Sequence, residues 1–204
     1  LAITGISYHL FRVIIAIFNP DAHRNIVQST DMTHYIFFFC YILSTLVIAY
    51  FFYSFYKSID KYTLNKLIGA SVACFASYLL VAFTSLSSFI LSKAGISFHS
   101  GFTQSFFVFT AAFLVVSQLA FFIIFRKFYP RENSFLKHAS TLAIIGICLL
   151  SISVFLPLNQ KISPGNFLEL TDKNILSSIH LITLFAYGSL LTFFIAFYKH
   201  LTDR

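Results

Sequence analysis

Charge is what this 204-residue chain has least of: Asp, Glu, Lys and Arg make up 10% of it, where soluble domains carry about 25%. That shortage excludes water as the main solvent. Tryptophan, the residue that usually marks a bilayer's edges, is absent. Tyr and Phe take its place, in "FFYSFYK", "FRKFYP" and "AFYKH", each mixing aromatics with basic residues. Cys40, Cys74 and Cys148 are an odd, dispersed set with no CxxC pair. They exclude a disulfide framework, a zinc ribbon and a covalently attached c-type haem. No P-loop, helix-opening GxGxxG, GxSxG, HExxH or HxxxH occurs, so the usual machinery of soluble catalysis is missing.

What is present is apolar length. The chain is 58% hydrophobic, with a mean hydropathy of +0.82. Runs of about 18 apolar residues cross a ~30 Å hydrocarbon core as helix. The candidates are Leu1–Phe18, Tyr35–Tyr56, Leu67–Leu91, Phe102–Phe125, Ala139–Leu158 and Ile175–Tyr198. These runs are continuous, whereas transmembrane barrel strands alternate. Leu1–Phe18 lacks a basic region followed by a small-residue cleavage site, so it reads as a span and not as a signal peptide. The expected fold is an all-α polytopic helix bundle: one integral membrane domain over 1–204 with six transmembrane helices.

Lys and Arg orient such a bundle. One side carries Lys57, Lys61, Lys66, Arg126, Lys127, Arg131, Lys137, Lys199 and Arg204, the other Arg24, Lys93, Lys161 and Lys173. This places both termini on the cytoplasmic or equivalent side. The net charge of +7 then reflects insertion and attraction to anionic headgroups. Membrane lipids are the expected partners, with other membrane subunits beside them, and nucleic acid is not.

"LAITGI" at Leu1 is nearly repeated as "LAIIGI" at Leu142. Without gaps, Leu1–Asp31 lies over Leu142–Asp172, matching Gly5 with Gly146, Asn25 with Asn166, and Thr30-Asp31 with Thr171-Asp172. One inserted residue brings Phe55-Tyr56-Lys57 over Phe197-Tyr198-Lys199. A looser middle unit starts near Gly69 and ends at "FRKFY". The spacing predicts three αα-hairpins, approximately 1–57, 67–129 and 142–199, at a period of about seventy residues. The first and last are parallel repeats, unlike the inverted repeats of many transporters.

Ionisable groups within spans are functional candidates by default. "SYHLFRV" puts His9 and Arg12 one turn apart on a helical face, suited to an anion or headgroup. "SSIHLITLFAYG" aligns Ser177, His180, Thr183 and Tyr187 near one stripe, and Gln104, Thr110, Ser117 and Gln118 mark the fourth run. From these, His9, Arg12, His180, Tyr187 and Gln118 are the candidate ligand-binding residues. Gly69, Ala73 and Ser77, spaced by four, suit close helix packing. His9 and His180 are the only deep pair available to a b-type haem, but no cofactor is expected. His23, His34 and His99 with Asp31 form an alternative metal set, since zinc hydrolases use about three protein ligands and an open position.

"SVFLPLN", followed by a loop and "SSIHLITLFAYG", resembles the Frag/DRAM-like six-helix membrane proteins and their bacterial relatives, with Phe155, Pro157 and His180 carrying the likeness. Leu156 and Leu184 depart from that group's pattern. The resemblance implies a role in lipid handling or membrane homeostasis with no established reaction. The expected function is to bind lipid or another apolar ligand, or to serve as a helical subunit of a membrane complex, without catalytic machinery. The alternative is a metal-dependent intramembrane hydrolase of a lipid ester or amide.

Overall fold

A computed structural model describes residues 1–28, 32–59, 65–93, 101–128, 134–155 and 173–203. They form seven helices: α1 (Ala2–Phe18), α2 (Pro20–Gln28), α3 (Met32–Ser58), α4 (Asn65–Lys93), α5 (Gly101–Phe128), α6 (Ser134–Phe155) and α7 (Lys173–Thr202). Five are long and apolar enough to cross a membrane: Met32–Ser58, Asn65–Leu91, Ser105–Phe128, Ser134–Ile152 and Ser178–Thr202. The chain is a polytopic helical membrane protein. α1 is a shorter apolar helix of 17 residues, or about 25 Å at 1.5 Å per residue.

α2 lies in the stretch between the first two predicted spans. Its start is local chemistry. Asn19 ends α1, its N–H donating to the Ile15 carbonyl at 2.8 Å. The Asn19 Oδ1 then accepts from the Ala22 N–H at 3.1 Å, Pro20 opens the first turn and Asp21 follows. That is a side-chain cap with proline at the first helical position. The resulting turn leads α2 back against α1 and α3.

The six longer helices close into a ring: α1 packs on α3, α3 on α4, α4 on α5, α5 on α6, α6 on α7, and α7 returns to α1. Lys57, Lys66, Arg126, Lys127, Lys137 and Lys199 fall near the ends of α3 to α7 that share one side of the ring, called here the basic end. At that end α3, α5 and α7 run in parallel and carry one motif three times, Phe-Phe-x-x-Phe-x-Lys, at 51–57, 121–127 and 193–199. Positions i and i+4 share a helix face, so each motif aims its rings inward. Phe52 meets Phe121 at 4.9 Å, Phe51 meets Phe194 at 4.7 Å, and Phe122 meets Phe193 at 4.7 Å, all edge to face. Phe55, Phe125 and Phe197 close the cluster at 5.6–5.9 Å. These arrangements match the ring quadrupole's preference.

Gly5 and Gly146 sit at close approaches of neighbouring helices. A Cβ at Gly5 would lie 2.8 Å from the Ser44 carbonyl oxygen, and one at Gly146 2.8 Å from Ser189 Cβ and 3.1 Å from the Ala186 oxygen. Gly69 differs: it is exposed, with nothing within 4 Å of its Cβ position. The buried face of α4 runs instead through Leu67, Ala70, Ser71, Cys74, Ser77 and Tyr78. Of the stripe Gly69, Ala73, Ser77, Ser77 thus joins the packing seam and Gly69 lies off it. A four-residue step drifts around a helix of 3.6 residues per turn, and alternating three and four follows the contact.

Candidate functional site

Beyond the phenylalanine cluster, toward the end bearing α2, the interior of the ring turns polar. His9 is almost fully buried among side chains of α3 and α7. Its ring stacks on Tyr187 at 5.4 Å with an 11° interplanar angle, and Tyr41 meets it edge-on at 5.3 Å. Its Nε2 lies 3.2 Å from Ser44 Oγ. The Ser44 hydroxyl donates to the Tyr41 carbonyl at 2.8 Å, so its one proton is spent and His9 Nε2–H is the donor between them.

One turn along α1, the Arg12 guanidinium carbon lies 4.9 Å from the Phe37 ring centroid and 4.7 Å from that of Tyr41. Two aromatic faces hold the cation, and its Nε is buried without a hydrogen-bond partner among the described residues. The Tyr8 hydroxyl donates to the Phe37 carbonyl at 2.7 Å, which ties α1 to α3 beside the cation.

α2 brings His23 edge-on to Phe37, with ring centroids 6.3 Å apart. Burial first, then the charges of Arg12 and His180, push its pKa down to about 4. His23 is therefore neutral near pH 7, and His180 lies within electrostatic reach of it. The fold brings four of the sequence candidates, His9, Arg12, His180 and Tyr187, around this one end. Gln118 sits apart, on α5, bonded through its amide nitrogen to the Tyr78 hydroxyl. Tyr187 and Tyr41 lie within electrostatic reach of Tyr78.

The metal set is not assembled among the described residues, where no three His, Cys, Asp or Glu side chains stand close enough to hold an ion. His34 Nδ1 is 3.1 Å from the Ile26 carbonyl, and its ring stacks on Phe89 at 5.8 Å. His99 and Asp31 lie outside the described residues, as do the side chains of Gln104 and Ser177. For a haem shared by His9 and His180, His9 Nε2 is already committed to Ser44.

Reading the sequence missed Tyr8, Phe37, Tyr41 and Ser44. Phe37 and Tyr41 are one turn apart, as His9 and Arg12 are, but inside "YIFFFCYILSTL" they look like any aromatic of a span. No protein-family model, curated protein or solved structure matches this chain.

The depressed His23 pKa has a readable consequence. The unfolded chain takes up this proton near 6.5, the folded chain only near 4. Between those values the unfolded state holds more protons, so folding stability falls as pH drops from about 6.5 to 4 and is level below. An NMR titration of His23 is expected to place its midpoint near 4, and Arg12→Gln to raise it. An unmoved midpoint would mean that Arg12 does not act on His23.

Proposed function

We propose that this protein is a membrane-embedded binding protein for an anionic amphiphile, whose phosphate or carboxylate head sits on Arg12. The carrying observation is the Arg12 side chain itself: a guanidinium held by Phe37 and Tyr41 with a buried Nε that no described residue engages. A cationic donor buried without an acceptor among apolar helices is costly. Guanidinium donors match phosphate and carboxylate oxygens in pairs. His9, His23 and His180 border the same end and add donors or acceptors for a headgroup.

In this reading α1 crosses with the five longer spans, giving six helices in three hairpins. Gly5 meets the Ser44 carbonyl and Gly146 the Ala186 carbonyl, positions that coincide under the repeat's own register once its single insertion is counted. The three Phe-Phe-x-x-Phe-x-Lys segments supply the third copy. Both termini lie on the cytoplasmic or equivalent side, where the basic end would face anionic lipid. A kinship with the Frag/DRAM-like group, through Phe155, Pro157 and His180, agrees with a lipid-handling role. The hydrolase alternative on His23, His34, His99 and Asp31 has no contact among the described residues in its favour.

Native mass spectrometry and lipid extraction after purification in mild detergent test the assignment. Wild-type protein is expected to retain an anionic amphiphile near one per chain. Arg12→Gln should lose it about tenfold or more, the scale of one charge-assisted hydrogen bond. Lys66→Gln, at the basic end, should keep it. Equal retention by Arg12→Gln, or only zwitterionic lipid in the wild type, would overturn the assignment.

A further inference from the structure

Gln118 is 1% exposed and lies at the centre of the bundle, 17 residues from the start of α5 and ten from its end, or about 26 and 15 Å along the axis. Its amide nitrogen donates to the Tyr78 hydroxyl, and its Oε1 has no hydrogen-bond partner among the described residues. The nearby hydroxyls cannot supply one. Ser77 donates to the Cys74 carbonyl at 2.8 Å, while Ser117 divides its proton between the Leu114 carbonyl and Ser77 Oγ at 3.0 and 2.9 Å. Tyr78 itself is fixed by stacking on Phe52 at 5.7 Å.

In this arrangement Oε1 lacks a donor, and the Tyr78 hydroxyl, which accepts from the amide, has no acceptor for its own proton among the described residues. A hydroxyl group supplies both at once, donating to Oε1 and accepting from the phenol; a ketone or ether oxygen supplies only the acceptor. The pair stands in an apolar bundle with no bulk water to repair it, and native structures rarely leave such groups unmet.

We propose that Gln118 and Tyr78 form a second binding point, for the hydroxyl of a membrane-dissolved alcohol of the long-chain, polyprenyl or sterol class. The site is independent of Arg12: it is neutral, it lies on α4 and α5, and it recognises a head with no charge. The phenol of Tyr78 and the carboxamide of Gln118 hold the hydroxyl, and the hydrocarbon body lies among apolar side chains.

The test is photolabelling of the purified protein in phosphatidylcholine nanodiscs with a hexadecanol carrying a diazirine and an alkyne. Saturable label is expected on peptides of α4 and α5. Unlabelled hexadecanol, a polyprenol and a sterol, used as separate competitors, identify the source class by which displaces the probe best. Hexadecyl methyl ether, which cannot donate, should compete about tenfold less well. Replacing both members of a buried pair by apolar groups of like shape preserves folding, so Tyr78→Phe/Gln118→Leu should keep or raise the unfolding midpoint while losing the saturable label. Arg12→Gln should label as wild type does, which separates this site from the anionic one. The proposal is overturned if the double variant labels normally, if the ether competes as well as the alcohol, or if the wild type shows no saturable label, in which case the pair holds only water.

Discussion

Gly5→Ala and Gly146→Ala are expected to destabilise the protein, while Gly69→Ala and Gly188→Ala stabilise it. All four changes are chemically identical, and each replaces a helical glycine, so each gains up to about 1 kcal/mol of helix propensity. The sign is decided by what the new methyl meets. At Gly5 it would stand 2.8 Å from the Ser44 carbonyl oxygen and 3.0 Å from Ile48 Cγ1; at Gly146 it would stand 2.8 Å from Ser189 Cβ. The oxygen and the Cβ are tied to the α3 and α7 backbones, so the helices must separate or shift. Overpacking of that kind costs about 1–3 kcal/mol, more than the propensity gain. Gly69 and Gly188 have nothing within 4 Å. Unfolding midpoints in detergent for the four variants should split into two pairs. If all four moved together, helix propensity alone would account for them and the close approaches would carry no energy.

Phe193→Ala is expected to cost about 3 kcal/mol, near the lower end of the range for buried phenylalanine. Transfer from lipid into the bundle gains little hydrophobic free energy, so the loss here is of packing around the cavity. Phe193 is fully buried and touches Phe122, Phe125 and Phe197. Phe83→Ala, on the lipid-facing side of α4 at 63% exposure, should change stability by less than about 0.5 kcal/mol. A double-mutant cycle of Phe122 with Phe193 should return a coupling of about 0.5–1.5 kcal/mol. A coupling near zero would show that their edge-to-face contact adds nothing beyond volume.

How far these features were legible varies residue by residue. The partnership of His9 and Arg12 follows from spacing alone, because a helix puts i and i+3 on one face, and both indeed meet Tyr41. Gly5 and Gly146 were paired by the repeat, and both prove to be close-approach positions. Gly69 was matched to them on composition and lies on the outer surface instead. The phenylalanine motif was only half visible: its tails, at Phe55-Tyr56-Lys57 and Phe197-Tyr198-Lys199, stood out, while the doublets before them merged into runs where Phe is common.

Composition and run length by themselves determined that this is an all-helical protein of the membrane, because a bilayer admits few backbones and sets their length. The ring closure of α7 on α1, and the gathering of α3, α5 and α7 around nine phenylalanines, were decided only by tertiary structure. So were the stacking of His9 on Tyr187 and the isolation of Gln118 with Tyr78. The reason is physical: in lipid, an apolar side chain is equally at home on either face of its helix. Hydrophobic periodicity, which tells inside from outside in water, is therefore silent here, and only packing and hydrogen bonding between helices choose the faces.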